Sequence, residues 1–570
     1  MQLTEFIEKI DKPKELFEAL NKAQVNTALE FDAILVEFSA QPGVDLCLLA
    51  LEALKAGANK WITEGIVIPK LNKLSPNVES LALLMNGLEG IIYQKDLEEF
   101  LTKTPDFARR LLTKFINENN GFIEGYIITC YNALLKNEEF DSFQEIVDLK
   151  SNSSLIIQHS VISLLSSFNY ETSSNKDEFL KTTLQVLQEF EQKAESDNEL
   201  LPRLVWAYCQ LITQSEKAEE KLIKLLDKNN PDSDLKLAQF LFVNTDKFYL
   251  NEWFQKLLNR LTKVSTQYVE TLNRIDMIFF MALARHKSWV GAKEFIRKWL
   301  TDSDYTKNKK DFETLFPSFL RELIKNKPEL ELWITELFNK EDIYWNALAG
   351  DTVSYFKSHN MDGLLQLTVD TGSYNIYDIK YIFRKILAFV IYPDVMCSLV
   401  LSVLEKKDDE DIKGLVNSMM TEIVDEYLGA VLDFTNKELL RTELSSKIRK
   451  YLEAIKRDLE KYTENINKIP KLDELKTPLK NSYIIGLSKR KERQKTAEES
   501  EKKSVLAQLV SRIYLKQGIG SFSFHNNEYT EINKLTSFSV SMALPLSEAC
   551  HPVHGARTRF QYRLSKKESL

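Results

Sequence analysis

Hydrophobic residues recur at spacings of three and four from the N-terminus to about Lys468. Phe107, Leu111, Leu112 and Phe115 are one example of the spacing. It is the period of an α-helix with a single apolar face. Short polar breaks rich in Pro, Asn and Asp interrupt the pattern every 10 to 18 residues or so. The pattern therefore predicts a long series of short amphipathic helices.

Several neighbouring helices are predicted to pair as antiparallel hairpins. One pair joins residues 121–136 to the apolar run that follows Asn137 and Glu138. Another joins 275–285 to 290–300 and places Gly291 and Ala292 where the second helix would press on the first. These pairs are similar in architecture to tetratricopeptide and HEAT hairpins, but no fixed period or signature recurs. We expect an irregular α-helical solenoid of stacked hairpins with an extended, groove-forming surface.

The pattern changes in the last quarter of the chain. The longest uninterrupted helix is predicted from about Asn436 to Lys468, followed by a linker over 469–480 that contains two prolines. A polar helix is predicted from about Lys489 to Lys516. The predicted domains are a helical body over 1–435, a long helix with its linker over 436–488, and a basic C-terminal region over 489–570.

After Gly518 the apolar period becomes two. Phe522 and Phe524 begin one run, 538–544 form a second, and 560–564 form a third, with a tight turn expected at Asn526 and Asn527. Period-two alternation is typical of strands with one apolar face. The predicted fold is therefore mainly α, with a small three-stranded antiparallel β-sheet at the C-terminus.

Composition supports a helical protein in a reducing compartment. Only 17 Gly and 14 Pro occur among 570 residues, which excludes collagen-like and turn-rich all-β classes. The 5 cysteines are odd in number and scattered, and four lie in apolar helical patterns, so we expect buried thiols rather than disulfides. The four are Cys47, Cys130, Cys209 and Cys397.

Neither the N-terminus nor the most apolar stretch of the chain has the pattern of a targeting signal or a membrane span. The first residues lack a basic region followed by an apolar core, so no secretory signal is predicted. The apolar stretch over 386–404 contains Pro393 and Asp394 at its middle, which favours two buried helices over one membrane span. We expect a cytoplasmic protein that does not use a membrane.

Charge is distributed unevenly along the chain. The formal net charge is -8, but 15 basic and 8 acidic residues from Lys489 onward give that region +7 and leave −15 on residues 1–488. The candidate phosphate- or partner-binding residues are Lys489, Arg490, Lys491, Arg493 and Lys495 in one cluster, and Arg557, Arg559 and Arg563 on one face of the predicted last strand.

Three interpretations of these basic residues stay open. They could contact nucleic-acid phosphates, form a solvated helix face that pairs with Glu498, Glu499 and Glu501, or dock on the chain's own acidic body. Aromatic residues that would stack on bases fall mostly on the opposite face of the predicted sheet, which counts against nucleic acid.

Motifs for catalysis and metal binding are weak. Asp370 to Ser373 spell the loop of aspartic proteases, but no second such loop exists, so we predict a helix end capped by Gly372. His525, Cys550, His551 and His554 could ligate a metal, but their spacing matches no recognised site, and a loop with polar histidines is favoured. We predict no cofactor and no metal.

The sequence favours a non-enzymatic scaffold that binds protein partners within an assembly. The alternative is a nucleic-acid-associated protein that uses the basic C-terminal region. An enzyme whose active site no motif announces is the third hypothesis.

Overall fold

The chain folds as two compact units, Met1–Phe319 and Leu320–Leu570. A computed structural model describes residues 3–26, 30–88, 90, 92–117, 123–194, 199–287, 289–308, 311–359, 364–369, 374–407, 409–442, 444–470, 479–503, 521–525, 528–533 and 545–567.

The first unit consists of short helices joined by short turns, as the apolar period predicts. The helices are α1 (Leu3–Ile7), α2 (Pro13–Asn26), α3 (Phe31–Ser39), α4 (Leu46–Lys55), α5 (Lys60–Val67), α6 (Leu71–Leu74), α7 (Val78–Leu88), α8 (Gln94–Lys103), α9 (Pro105–Asn117), α10 (Ile123–Leu135), α11 (Glu139–Asp148), α12 (Leu155–Ser167), α13 (Lys176–Lys193), α14 (Leu200–Leu211), α15 (Glu216–Leu226), α16 (Pro231–Phe248), α17 (Glu252–Arg260), α18 (Val269–His286), α19 (Val290–Asp302), α20 (Phe312–Leu315) and α21 (Pro317–Lys325), which crosses the unit boundary. Four 3-10 turns, Ile68–Lys70, Leu149–Ser151, Tyr170–Thr172 and Leu261–Lys263, lie between them. The prediction of a helical body is confirmed.

The helices of both predicted pairs are present, as α10 followed by α11 and α18 followed by α19. α10 packs on α11, and Phe279 of α18 contacts Phe295 of α19 at 5.2 Å between ring centres. The close approach at Gly291 differs from the prediction. A Cβ atom at Gly291 would lie 2.5 Å from the Tyr249 hydroxyl oxygen, which belongs to the preceding hairpin. The small residue therefore serves the contact between successive hairpins, because a larger side chain at Gly291 would overlap the Tyr249 hydroxyl.

Successive hairpins are joined by side chains at regular sequence separations. The Gln94 amide donates to the Thr129 hydroxyl at 3.1 Å, 35 residues away, and Lys150 bonds to Glu189 at 2.7 Å, 39 residues away. The Ser265 hydroxyl donates to Asp304 at 2.6 Å, again 39 residues away. The stack thus repeats in space although no repeat is visible in the sequence, because packing requires helix length and apolar pattern rather than a fixed signature.

The helices of the first unit form two rows with different spacing. In one row, α10, α12, α14, α16 and α18 each pack directly on the next. The alternate helices α13, α15 and α17 pack mainly on this row, and side-chain ion pairs such as Lys256 with Glu219 (2.7 Å) link them to one another. We call this closely packed row, α10 to α18, the inner wall of this part of the unit.

Two buried carboxylates fix connections between hairpins. Asp276 on α18 is 1% exposed and accepts the backbone N–H groups of Ser318 (2.7 Å) and Phe319 (2.8 Å) at the start of α21. Glu64 on α5 is also 1% exposed and accepts the backbone N–H groups of Ile92 and Tyr93 before α8. Backbone N–H groups at the start of a helix have no acceptor within that helix, and each of these carboxylates supplies one from another helix.

The second unit is also built from packed helices. They are α22 (Lys327–Asn339), α23 (Ile343–Ser358), α24 (Ile376–Phe389), α25 (Pro393–Lys406), α26 (Glu410–Leu439), α27 (Ser446–Lys468), α28 (Leu479–Lys503), α29 (Leu546–Cys550) and α30 (Pro552–Leu564). The predicted turn between two buried helices at Pro393 is confirmed, with Pro393 at the first position of α25.

The long helix predicted from Asn436 is wrong at its start. Asn436 lies near the end of α26, which is kinked at Tyr427, and α27 begins only at Ser446. The Ser445 hydroxyl accepts the backbone N–H of Ile448 at 3.3 Å and caps α27. An apolar period can continue through such a break because both helices pack on the same core.

The predicted C-terminal β-sheet is wrong. Its third strand, 560–564, lies within helix α30. Val553, Phe560 and Leu564 share one face of that helix, so the alternation of Phe560, Tyr562 and Leu564 is a helix read over too few residues. The described residues of this region form only a two-stranded antiparallel hairpin, β1 (Ser521–His525) with β2 (Glu528–Asn533). The predicted turn at Asn526 and Asn527 and the middle strand over 538–544 lie outside the described residues.

Three further predictions concern a membrane span, the cysteines and the loop from Asp370 to Ser373. No helix in the described part of the chain combines the length and the apolarity needed to cross a bilayer. Cys47, Cys130, Cys209 and Cys397 are buried free thiols, as predicted, and burial raises the pKa of Cys130 to about 12. Asp370 to Ser373, including the predicted cap Gly372, lie outside the described residues.

Candidate functional site

The first basic cluster lies on α28, a helix whose described side chains are almost all exposed. Its members are Lys489, Arg490, Lys491, Arg493 and Lys495. Lys489 and Arg493 share one side of the helix, whereas Lys491 and Lys495 lie on nearly the opposite side. Of the pairing predicted with Glu498, Glu499 and Glu501, the described side chains show a 4.0 Å contact between Lys495 and Glu499. The cluster is therefore exposed but does not form a single basic face.

The second group, Arg557, Arg559 and Arg563, lies on α30 and not on a strand. Arg557 is exposed. Arg559 lines a small cavity of 170 Å3 beside Glu422 and Glu426 of α26. The Arg563 guanidinium lies 5.3 Å from the ring centre of Phe389. The structure thus separates the eight predicted residues between two helices and directs Arg559 and Arg563 toward the chain itself.

The histidines and cysteine considered as metal ligands do not form a site in the described residues. Cys550 ends α29, while His551 and His554 lie at the start of α30 and are exposed. The side chain of His525 lies outside the described residues. Among the described residues, no group of three His, Cys, Asp or Glu side chains is arranged to hold a metal ion.

A cleft in the inner wall of the first unit is a stronger candidate. It has a volume of 630 Å3 and crosses three consecutive inner helices, α12, α14 and α16. Its lining residues are Ile162, Ser163, Ser166, Glu199, Pro202, Arg203, Trp206, Asp232, Leu235, Lys236 and Gln239. The cleft combines apolar surface with polar groups that can orient a bound chain.

One aromatic side chain, two cations and the carboxylates of Glu199 and Asp232 line the cleft. Trp206 is half-buried, and its ring meets Phe240 edge-on at 6.3 Å. Arg203 forms an ion pair with Glu124 of α10 at 2.5 Å, which fixes its guanidinium at the edge of the cleft. The Lys236 ammonium donates to the Gln239 side chain at 3.4 Å and has no carboxylate partner among the described residues. An unpaired cation beside an indole ring can bind a carboxylate next to an apolar side chain.

Sequence reasoning did not find these cleft residues. Arg203 and Trp206 are three positions apart on α14, so they share a helix face. A half-polar face on an otherwise apolar helix was the available signal, but the sequence does not show that the faces of α12, α14 and α16 meet. That arrangement depends on the stacking of hairpins.

A second cavity, of 590 Å3, lies in the second unit and is lined by residues of α25, α26 and α27. Glu438 lies at its wall, is 3% exposed, and forms an ion pair with Arg441 at 3.2 Å. Burial raises the pKa of Glu438 above its ordinary value, and its Oε2 atom has no hydrogen-bond partner. That oxygen is closed to solvent, so a molecule in the cavity would not reach it.

Comparison with known proteins does not place the chain in a family. No protein-family model and no curated protein matches it. Among solved structures, an engineered protein from the Northeast Structural Genomics Consortium matches 80% of this chain and 99% of that chain at 11% sequence identity. The TM-score of that match is 0.21, which is too low to carry an argument about fold or function.

Proposed function

We propose that the protein is a helical scaffold that binds protein partners through the cleft in the inner wall of its first unit. The observation that carries this proposal is the 630 Å3 cleft across α12, α14 and α16, with Trp206 and the unpaired Lys236 at its surface. Stacked helical hairpins present such surfaces to extended or helical segments of other proteins. The expected ligand segment carries a carboxylate beside an apolar side chain.

Two substitutions in the cleft should weaken partner binding at least tenfold. Lys236→Glu reverses the charge that would meet the partner's carboxylate, and Gln239→Trp fills part of the cavity. A tenfold loss corresponds to about 1.4 kcal/mol of binding free energy, which is a modest effect for a residue near the centre of an interface. The measurement is quantitative affinity purification from the native cell, followed by titration of each purified partner.

Lys224→Glu is the matched control for these two variants. Lys224 is exposed on α15, which lies outside the inner row, so this charge reversal should leave partner binding unchanged. Circular dichroism and thermal unfolding would show that all variants fold equally well. If partner binding falls equally in Lys236→Glu and Lys224→Glu, or falls in neither variant, the partner does not bind in the cleft. Either result would contradict the proposal.

A second function, nucleic-acid binding, rests on the exposure of the basic cluster of α28. Its residues lie around the helix, so a phosphate backbone could meet about half of them at once. Binding of a labelled single strand should weaken steeply between 50 and 200 mM salt, by about tenfold for two or three phosphate contacts. It should disappear in the variant Lys489→Ala, Arg490→Ala, Lys491→Ala, Arg493→Ala.

A charge-matched control separates a site from general attraction. Four exposed lysines of the first unit serve for this purpose when each is replaced with alanine: Lys217, Lys224, Lys228 and Lys247. Binding that is insensitive to salt, or that falls equally in both quadruple variants, would rule out a nucleic-acid function for α28.

A further inference from the structure

The C-terminal segment, residues 545–567, is held by carboxylates of the second unit. The Tyr562 hydroxyl donates to Glu422 on α26 at 2.7 Å. The backbone N–H of Ser547 donates to Glu426, also on α26, at 2.9 Å. The Lys567 ammonium lies 2.7 Å from Asp378 at the start of α24. We call the surface that receives the segment the α24–α26 surface; its carboxylates contact the segment near both ends, from Ser547 to Lys567.

Lys385 on α24 recognises the end of helix α30. It is 2% exposed, and its ammonium donates to the backbone carbonyl oxygens of Tyr562 (3.1 Å), Arg563 (2.6 Å) and Ser565 (3.0 Å). Burial lowers the pKa of Lys385 to about 8, so at neutral pH the side chain is still mainly an ammonium with three donors. The last carbonyl groups of a helix lack partners within the helix and carry partial negative charge. Lys385 therefore selects a helix end and not a particular side chain.

Contacts with Asn375 hold the Asp378 carboxylate in position independently of Lys567. Its carboxylate accepts the backbone N–H of Asn375 at 3.1 Å, while the Asn375 side chain accepts the backbone N–H of Asp378 at 2.9 Å. Burial would raise the pKa of Asp378, but the bonds from Lys567 and the Asn375 N–H outweigh it and hold the pKa below its ordinary value. The carboxylate is therefore ionised and preorganised for a lysine that follows a helix end by a few residues.

The docked segment buries little apolar surface. Among its described residues, only Pro545 and Gly555 are buried, and glycine has no side chain. Val553 is 82% exposed, Phe560 59% and Leu564 55%, and all three lie on the helix face that points away from the body. Hydrophobic burial of a side chain of this size contributes about 1.5–3 kcal/mol when complete. The segment forgoes most of that stabilisation and is held mainly by polar contacts, as expected of a segment that can be displaced.

Charge defines what else could occupy this surface. From Cys550 to Lys567 the segment has five basic residues and no acidic one. The surface it meets presents four carboxylates, Glu422, Glu426, Asp378 and Glu341, the last of which accepts the backbone N–H of Lys567 at 3.2 Å. They outnumber the two cations that α24 also presents to the segment, Arg384 near Tyr562 and Lys385. A ligand must therefore be a helix with basic residues near its C-terminal end, a lysine shortly after that end, and a hydroxyl donor on the docked face.

We propose that the α24–α26 surface is a binding site for such a basic helix of a partner protein, and that residues 545–567 occupy it as an intramolecular competitor. This site is separate from the cleft of the first unit, so its test does not depend on the function proposed above. Competition by the chain's own segment would restrict binding to partners that are abundant or that dock more tightly.

The proposal is tested in the full chain by unseating the segment without altering the surface. Gly555→Leu introduces a side chain where a Cβ atom would already lie 2.6 Å from the Ser547 hydroxyl oxygen. Lys567→Glu places like charges beside Asp378 and Glu341. In the double variant, backbone amides of 552–564 should exchange with deuterium at least tenfold faster than in the wild type. Unchanged exchange would show that the segment is a fixed part of the fold, which contradicts the proposal.

The double variant Gly555→Leu, Lys567→Glu, called the opened chain from here on, should bind a labelled synthetic peptide of residues 545–567 at least tenfold more tightly than the wild-type chain does. In the wild type the surface is already occupied. Adding Glu422→Gln or Lys385→Met to the opened chain should weaken the peptide's binding several-fold. The control peptide carries Tyr562→Ala and Lys567→Glu and should bind poorly. Equal binding of both peptides, or equal binding to opened and wild-type chains, would overturn the proposal.

A further measurement distinguishes a separate partner from a second copy of this chain. If the wild-type protein forms a dimer with increasing concentration, and Lys567→Glu abolishes that dimer, the surface serves exchange of the segment between two copies. That result would contradict a site for another protein. A monomer over the same range, together with peptide binding to the opened chain, is the result we expect.

Discussion

Replacing Asp276 with alanine should lower the free energy of unfolding of the first unit by about 3 kcal/mol, because two buried backbone donors lose their acceptor. The carboxylate is 1% exposed and bonds to the N–H groups of Ser318 and Phe319 in the first turn of α21. The substitution leaves those donors unsatisfied and also leaves a cavity. Urea unfolding followed by circular dichroism gives the size of the loss, and hydrogen exchange at Ser318 and Phe319 locates it.

Asn59→Ala is the control for this prediction. Asn59 caps α5 by accepting the N–H of Trp61, two residues later, at 2.9 Å, and it is exposed to solvent. Water can replace such a local cap, so we expect a loss of about 1 kcal/mol. If the two alanine variants were equally stable, the contact between α18 and α21 would be no more than an ordinary helix cap, and the buried carboxylate would not join the hairpins.

The two caps also show what the sequence could and could not reveal. A local cap such as Asn230, which accepts the N–H of Ser233 at 3.0 Å, stands directly before a proline and an apolar run and can be read from the sequence. Asp276 lies 42 residues before the N–H group it accepts. No local pattern marks that pairing, because it arises only when one hairpin stacks on the next.

The strand predicted over 560–564 is wrong for a related reason. Helix α30 contains Pro552 at its first position and apolar residues at 553, 560 and 564, which is a helical arrangement. The alternation at Phe560, Tyr562 and Leu564 also fits a strand, and it follows a period-two run near Phe522. Tyr562 in fact lies opposite to Phe560 and bonds to Glu422. Helix α30 docks by its polar face and exposes its apolar face. The usual inference that the apolar face of a helix is the buried one therefore does not apply to it.

The sequence shows the charge of the basic C-terminal region but not what its basic residues contact. Docking on the chain's own acidic surface was one of three interpretations, and the contacts of Arg559, Arg563 and Lys567 support it for α30. Lys385, which holds the end of that helix, lies in an apolar stretch where a buried lysine carries no motif. Its three carbonyl acceptors come from residues 177 to 180 positions later.

Gly350→Ala should destabilise the second unit by about 2–3 kcal/mol. Gly350 lies within α23, and a Cβ atom there would stand 2.7 Å from the carbonyl oxygen and 2.9 Å from the Cβ atom of Phe389 at the end of α24. Both are parts of the main chain or fixed to it, so α23 and α24 must move apart, as in other overpacked sites. Alanine is otherwise the better helix former by about 1 kcal/mol, and the steric cost must exceed that gain.

Gly414→Ala gives the opposite expectation on the same unit. Gly414 is exposed in α26, and a Cβ atom there would have no atom within 4 Å, so only the helix propensity of alanine remains and stability should rise by about 0.5–1 kcal/mol. Urea unfolding followed by fluorescence of Trp333 and Trp345 reports on this unit. Equal stability of Gly350→Ala and the wild type would mean that α23 and α24 are not in the tight contact described.

Gly350→Ala should also loosen the C-terminal segment. The Arg563 guanidinium lies over the Phe389 ring, and its Nε–H donates to the carbonyl oxygen of Ala388 at 3.4 Å. If α24 shifts at this end, the carbonyl groups held by Lys385 lose their alignment. Hydrogen exchange over 552–564 should therefore be faster in Gly350→Ala than in Gly414→Ala at equal denaturant concentration. Loss of stability without faster exchange in that segment would show that the end of α24 moves independently of the helix docked on it.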